Sequence, residues 1–208
     1  MSYYNTYRPQ QWAEVIGQRH IVELLRKQSE LGAFSHSYLF CGHSGTGKTT
    51  MARILAMCLN CQSRNGTGEP CGDCQSCRLI KKGAHWDTYE IDGARFRGIE
   101  EIKDLCYKAS FSPAGRHKVY LIDECQMLTE PAWNALLKLL EEPPPYLTII
   151  LITTEASKIP ITVQSRCQIL PFKALSPSEI KEKLKRIVEG EKIEIDEKYL
   201  QFVAESVN

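Results

Sequence analysis

Ser37-Tyr38-Leu39-Phe40-Cys41-Gly42-His43-Ser44-Gly45-Thr46-Gly47-Lys48-Thr49 is the stretch whose reading decides the fold. Its first five residues are an apolar run that reads as a short buried strand, and Lys48 to Leu59 continues with the apolar spacing of a helix. The glycine-rich turn between them fits G-x-x-x-x-G-K-T without a mismatch. Gly42, Gly45 and Gly47 let backbone N–H groups wrap around phosphate oxygens, and Thr46 and Thr50 belong to the same cradle. Lys48 reaches the β and γ phosphates of ATP. The Thr49 hydroxyl is placed to ligate Mg2+ at the positive end of the helix. An ordinary glycine turn shares the composition but lacks the strand before and the helix after.

A second half of such a site is expected at the end of another strand, and Val119-Tyr120-Leu121-Ile122-Asp123-Glu124 supplies it. Asp123 would hold Mg2+ through water, and Glu124 would polarise the attacking water as the catalytic base. Two adjacent carboxylates also fit a solvated strand end, a reading that weakens beside the matched turn. Thr153-Thr154 closes the next apolar run, Leu147 to Thr153, whose end would lie beside that of the Asp123 strand. A hydroxyl there could position water near the γ-phosphate; threonine's β-branched preference for strands accounts for it equally well.

Working outward, Thr88 to Ile91 adds another apolar run, and helical stretches at Ile99 to Lys108 and Pro131 to Leu140 alternate with the strands. The alternation predicts an α/β fold, a parallel sheet with helices on both faces. Thr129 before Glu130-Pro131 supplies a helix start, and Pro143-Pro144-Pro145 ends that helix. Past Phe172 only helices are expected. Ser176-Pro177-Ser178-Glu179 is a capping box opening an amphipathic helix to about Val188, and Asp196 caps another that runs to Asn208. Two units follow: a nucleotide-binding domain over 1–172 and the start of a helical lid over 173–208.

The chain has 208 residues and is 43% hydrophobic, enough for a full core and part of a second domain. Its 26 lysines and arginines balance 25 aspartates and glutamates, a net charge of +1. No global field draws it to nucleic acid or membrane, so any DNA contact must be local. No apolar run approaches the ~20 residues needed to span a bilayer, and the start lacks a signal peptide's regions. A cytoplasmic protein without membrane contact is expected.

Of nine cysteines, Cys41, Cys58, Cys106, Cys125 and Cys167 are scattered through apolar segments and read as small core residues. The other four, Cys61, Cys71, Cys74 and Cys77, are joined by Gly66, Gly68 and Gly72 and suit one tetrahedral zinc. Four protein ligands leave no open position for catalysis, so the zinc would be structural. Unliganded or redox-active thiols are the alternative, since the spacing is not paired CxxC…CxxC.

These motifs, with Tyr7-Arg8-Pro9, Val15-Ile16-Gly17-Gln18, Asn134-Ala135-Leu136-Leu137-Lys138, Glu141-Glu142-Pro143 and Ser165-Arg166-Cys167, resemble the γ/τ family of bacterial DNA polymerase III subunits. The resemblance covers nearly the whole chain. It implies an AAA+ ATPase with a zinc-binding insertion at 61–77, working in a hetero-oligomeric clamp loader with other loader subunits, the sliding clamp and primer-template DNA. It implies that Tyr7, Arg8, Val15 and Ile16 line the adenine pocket and that Thr154, rather than Thr153, is the sensor-1 residue. Arg166 would be an arginine finger acting in trans on a neighbour's ATP. Arg95 and Arg97 would face DNA, and Lys138 would couple DNA to the ATP site. The family's sensor-2 arginine and collar domain would lie beyond Asn208, so this chain is expected to be monomeric and weakly active. Zinc-bearing nucleotide kinases also combine a phosphate turn with four cysteines, but carry them in a mid-chain lid. A switch module that holds ATP without hydrolysing it is the remaining alternative, against which Lys48, Thr49, Asp123 and Glu124 argue.

Overall fold

A computed structural model describes residues 3–64, 66–96 and 98–206. The apolar runs form one parallel sheet of five strands: β1 (Ser37–Cys41), β2 (Thr88–Asp92), β3 (Lys118–Asp123), β4 (Leu147–Thr153) and β5 (Gln168–Pro171). The helices are α1 (Tyr3–Thr6), α2 (Arg19–Leu31), α3 (Lys48–Asn60), α4 (Gln75–Lys81), α5 (Ile99–Ala109), α6 (Glu130–Glu141), α7 (Ile161–Gln164), α8 (Pro177–Glu191) and α9 (Glu197–Ser206). β5, absent from the sequence reading, buries only Leu170 of its four residues, too few for a pattern.

Strands β3 and β4 are buried almost throughout because both faces of the sheet are covered. Successive side chains divide between two apolar layers, as a period of two requires. Tyr38, Phe40, Val119, Leu121, Ile150 and Ile152 pack with α2 and α3, whereas Leu39, Tyr120, Ile122, Ile149 and Leu151 pack with α5 and α6. Of the scattered cysteines, Cys58 and Cys125 are buried in this core; Cys41, Cys106 and Cys167 lie at its margins.

Local signals fared differently. Ser176 and Glu179 make both bonds of the capping box, and Asp196 Oδ1 accepts from Lys198 N at 2.9 Å before α9. Thr129 stands at the N-cap of α6, but its hydroxyl makes no capping bond. Buried Lys118 donates to the carbonyls of Lys108 and Phe111 at 2.6 and 2.7 Å, closing the end of α5 with a cation where the helix dipole is negative.

The sheet order β2-β3-β4-β1-β5 has one consequence for the site. β4 lies between β1 and β3, so the ends of all three strands stand side by side. Ligands of open parallel sheets bind at such ends. Among the described residues no helix is long and apolar enough to cross a membrane.

Candidate functional site

The turn between β1 and α3 takes its shape from glycine. Gly42, Gly45 and Gly47 have φ of 148°, 80° and 96°, where side-chain-bearing residues are strained. At Gly42 a Cβ would also meet the carbonyl oxygen of Phe172 at 2.3 Å. Lys48, only 7% exposed, donates to the carbonyls of Gly42 and His43 at 2.7 and 2.8 Å. Burial lowers its pKa, while the nearby Asp123 and Glu124 carboxylates work the other way. The Thr49 hydroxyl donates to Asp123 Oδ2 at 2.8 Å, bringing the end of β3 against the start of α3. These contacts span β4, since β1 and β3 are not neighbours.

Glu124 follows with φ 48°, a left-handed conformation that turns the chain sharply off β3 into a 3-10 turn, Cys125–Met127. Its carboxylate accepts from the Gln126 amide and stands 3.4 Å from the Thr154 hydroxyl. Gln126 is a residue the sequence reading missed. Its Nε2 also donates to Thr154 Oγ1 at 3.1 Å, and its Oε1 accepts from Thr153 at 2.6 Å. Thr153 is fully buried and further occupied by the Glu155 N–H at 2.9 Å. Of the two threonines, Thr154 therefore presents its hydroxyl to the carboxylate, while Thr153 braces Gln126 from behind.

Beside the turn lies a cavity of about 330 Å³. Tyr7, Arg8, Val15 and Ile16 line it, together with Gly45, Thr46, Gly47 and Thr50 of the turn and its helix. The wall across from them comes from Leu175 and from Lys183, Arg186 and Ile187 of α8, none of which the sequence reading assigned. Two bonds hold the N-terminal arm to α8: Tyr7 Oη donates to Glu191 at 2.8 Å and Arg186 to the Glu14 carbonyl at 3.1 Å. A slot with Val15, Ile16, Leu175 and Ile187 in its lining, opening onto a glycine-rich turn, has the shape and chemistry that suit a nucleotide, base in the slot and phosphates at the turn.

The sulfurs of Cys61, Cys71, Cys74 and Cys77 lie within 4.8 Å of one another. Zn–S bonds of about 2.3 Å place tetrahedral sulfurs about 3.8 Å apart, so the four fit zinc with small adjustments. Backbone N–H groups of Cys71, Cys74 and Cys77 already point at the sulfurs of Cys61, Cys71 and Cys74, at 3.3, 3.3 and 3.5 Å. Burial pushes the Cys61 and Cys77 thiols up. At Cys74 burial acts in the same direction, but hydrogen bonds from the backbone of Cys77 and Gln62 prevail and bring it down to about 7. A donor set of four sulfurs, two of them buried, has no place for a substrate.

The remaining residues singled out from the sequence stand apart from the cavity. Arg166, just past α7, donates to the Thr162 carbonyl at 2.6 Å and to Glu141 at 2.7 Å. It sits on the surface of its own chain and does not line the cavity. Arg95 is exposed over the ring of Phe96. Arg97 lies outside the described residues. Lys138 borders a separate groove with Cys106, Glu142 and Pro144.

The profile of the family described as "DNA polymerase III, delta subunit" matches residues 17–176. The chain is 42% identical over its whole length to DNA polymerase III subunit tau of Bacillus subtilis, spanning 38% of that protein. It is 44% identical over 95% of its length to subunit tau of Escherichia coli, spanning 31% of it. With subunit gamma of Buchnera aphidicola it shares 44% identity and covers 55% of the relative's length. Among solved structures, the RuvB Holliday junction branch migration motor of Thermotoga maritima superposes with a TM-score of 0.68 at 20% identity, over 95% of this chain and 59% of that one. A gamma subunit-related protein of DNA polymerase III from Thermotoga maritima gives 0.51 at 21% identity, over 83% and 54%. The chain belongs to the family described as "DNA polymerase III, delta subunit", is similar to tau and gamma subunits over 31–55% of their length, and has the fold of the RuvB motor.

Proposed function

We propose that the chain is the ATP-binding and ATP-hydrolysing part of a clamp-loader subunit, which uses ATP to place a sliding clamp on primed DNA during replication. The observation that carries this is the convergence at the ends of the three central strands. Lys48, the Thr49–Asp123 pair and the Glu124–Thr154 pair all stand at the ends of β1, β3 and β4, beside a cavity shaped for a base. In this reading Lys48 leaves the loop carbonyls to hold the β and γ phosphates. Thr49 and Asp123 would hold Mg2+, which would supply positive charge beside the phosphates. Glu124 accepts a proton from the attacking water, and Thr154 keeps the carboxylate and that water aligned. Tyr7, Arg8, Val15 and Ile16 receive the adenine. Zinc on the four cysteines is structural.

The tau and gamma identities of the relatives support the partners: other loader subunits in a hetero-oligomer, the clamp and primer-template DNA, in the cytoplasm. Arg166 on the surface would complete a neighbour's site, Arg95 and Arg97 would contact DNA, and Lys138 would couple DNA to the ATP site. With a net charge of only +1, binding of DNA by the lone chain should be weak and fade with salt. Glu124→Gln and Lys48→Ala test the reading together. The first should leave ATP binding intact and stop turnover, and the second should abolish tight binding. Normal turnover in Glu124→Gln would refute the assignment.

A further inference from the structure

The wall that would face the base has little structure of its own. Val15 and Ile16 follow a single 3-10 turn, Trp12–Glu14, and precede α2. What fixes them is Trp12, which is 1% exposed. Its indole N–H donates to the Gly68 carbonyl at 3.1 Å, and its backbone N–H donates to Glu69 Oε2 at 2.7 Å. Gln11 adds a longer bond to the Pro70 carbonyl at 3.5 Å. All of these acceptors belong to the loop between Cys61 and Cys71. The Trp12 ring packs in the apolar cluster that contains Cys61, Cys77 and Ile80, with Val15, Cys71 and Cys74 at its edge.

The loop cannot hold that position through its own core. Its described residues form neither helix nor strand, and from Gln62 to Pro70 it contains no large apolar side chain. It leans on α2, where Arg26 Nε donates to the Thr67 carbonyl at 3.2 Å and Gly68, at φ 77°, fits where a Cβ would meet the Arg26 carbonyl at 2.5 Å. Its two ends are Cys61 and Cys71. Closing both on one metal removes most of the freedom that such a polar loop otherwise keeps.

We propose that the four-cysteine loop is the anchor of the base-binding wall. The clamped loop fixes Gly68 and Glu69, these fix Trp12, and Trp12 sets Val15 and Ile16. Glu69 and Trp12 are positioning residues: neither lines the cavity. The inference rests on reading that cavity as the nucleotide site. It makes zinc binding and base binding coupled equilibria, and coupling between binding free energies is reciprocal. Phosphate binding at Lys48 depends far less on the coupling, since the turn is built between β1 and α3 and its bond to the segment after Ile16, Gln18 Nε2 to the Thr46 carbonyl, is long at 3.4 Å.

The test uses two ligands on the zinc-loaded 208-residue chain: Mg-ATP, and Mg-tripolyphosphate, which has phosphates but no base. Zinc affinity is read by chelator competition with each ligand saturating. Zinc should be held about tenfold more tightly with ATP than with tripolyphosphate, equivalent to about 1.4 kcal/mol. Glu69→Ala should erase that difference and weaken ATP about tenfold, with tripolyphosphate affinity and zinc content unchanged. Glu69→Gln keeps an acceptor for the Trp12 N–H and should restore most of it, and Trp12→Phe should fall between. Ile16→Asp separates the two layers of the argument. If it leaves the preference for ATP over tripolyphosphate intact, the cavity is not the base site and the reading beneath the inference fails. If Ile16→Asp erases the preference while Glu69→Ala and Trp12→Phe leave both it and the zinc linkage untouched, the anchor itself is overturned. Equal weakening of both ligands by Glu69→Ala also overturns it, because it signals general loosening.

Discussion

Replacing Arg166 with alanine separates two roles whose energies differ widely. Within its own chain the guanidinium binds Glu141 and the Thr162 carbonyl, and the Arg166 and Glu141 side chains are 34% and 49% exposed. An ion pair so open to water contributes about 0–1 kcal/mol. Its loss from a chain of this size lowers Tm by about 0–4 °C. A finger that completes a neighbour's site supplies at least about 10³ in rate, or about 4 kcal/mol. The lone Arg166→Ala chain should therefore bind ATP and keep its basal hydrolysis, with only that small drop in Tm. In the assembled, DNA-stimulated complex the same change should slow hydrolysis by a factor on the order of 10³. The assay mixes two inactive subunits in one full-length assembly, one carrying Arg166→Ala and the other Glu124→Gln. Partial recovery is expected, because some interfaces then pair an intact finger with an intact pocket. Absence of recovery at every ratio, with co-assembly verified, would show that Arg166 serves its own subunit or none.

Elemental analysis should find one zinc per chain, and Cys74→Ser should release it and lower stability; a ratio near zero with four titratable extra thiols would remove the metal site. Thr154→Val should slow hydrolysis while leaving ATP affinity within about twofold, whereas Thr153→Val should chiefly lower stability by removing the hydroxyl's bond to the half-buried Gln126 amide, by about 1 kcal/mol in urea unfolding. His117 is held down to about 4 by burial and by the nearby charges of His36 and Arg64. The unfolded chain takes up that proton near 6.5 and the folded chain does not, so this stability is present above 6.5 and lost as pH falls towards 4. Between pH 7 and 5.5 the loss amounts to about 1 kcal/mol, and His117→Gln should remove it from the measured slope.

What the sequence disclosed was whatever a few neighbouring residues specify. The turn at Gly42 to Thr49, the Asp123-Glu124 pair, the cysteine spacing and the capping box at Ser176 each need only local chemistry. Helix α2 escaped because its start gives no signal: Gln18 precedes it in a left-handed conformation with no side-chain cap, and only Ile21 and Leu25 are buried. The placing of Tyr7, Arg8, Val15 and Ile16 came from family resemblance, not from pattern. Their opposing wall on α8 is some 170 residues away in the chain, and no periodicity reports such a meeting. Gln126 was invisible for a related reason. Its three side-chain partners come from two strand ends, and only the side-by-side placing of β3 and β4 gives the amide a role.

The strand order also bears on how the chain emerges during synthesis. β1 pairs only with β4 and β5, so Tyr38 waits for Ile150 and Gln168, over a hundred residues later. At a translation rate of about 5–20 residues per second, that is about 5–25 s. Throughout that interval Tyr38, Leu39 and Phe40 have no strand to join. β2 and β3 meet far sooner, Thr88 against Val119. The glycine-rich turn after β1 is therefore made early as sequence and late as structure. A nascent chain that stalls before Leu147 leaves the apolar β1 unpaired, a template for association with other chains and a natural target for a chaperone.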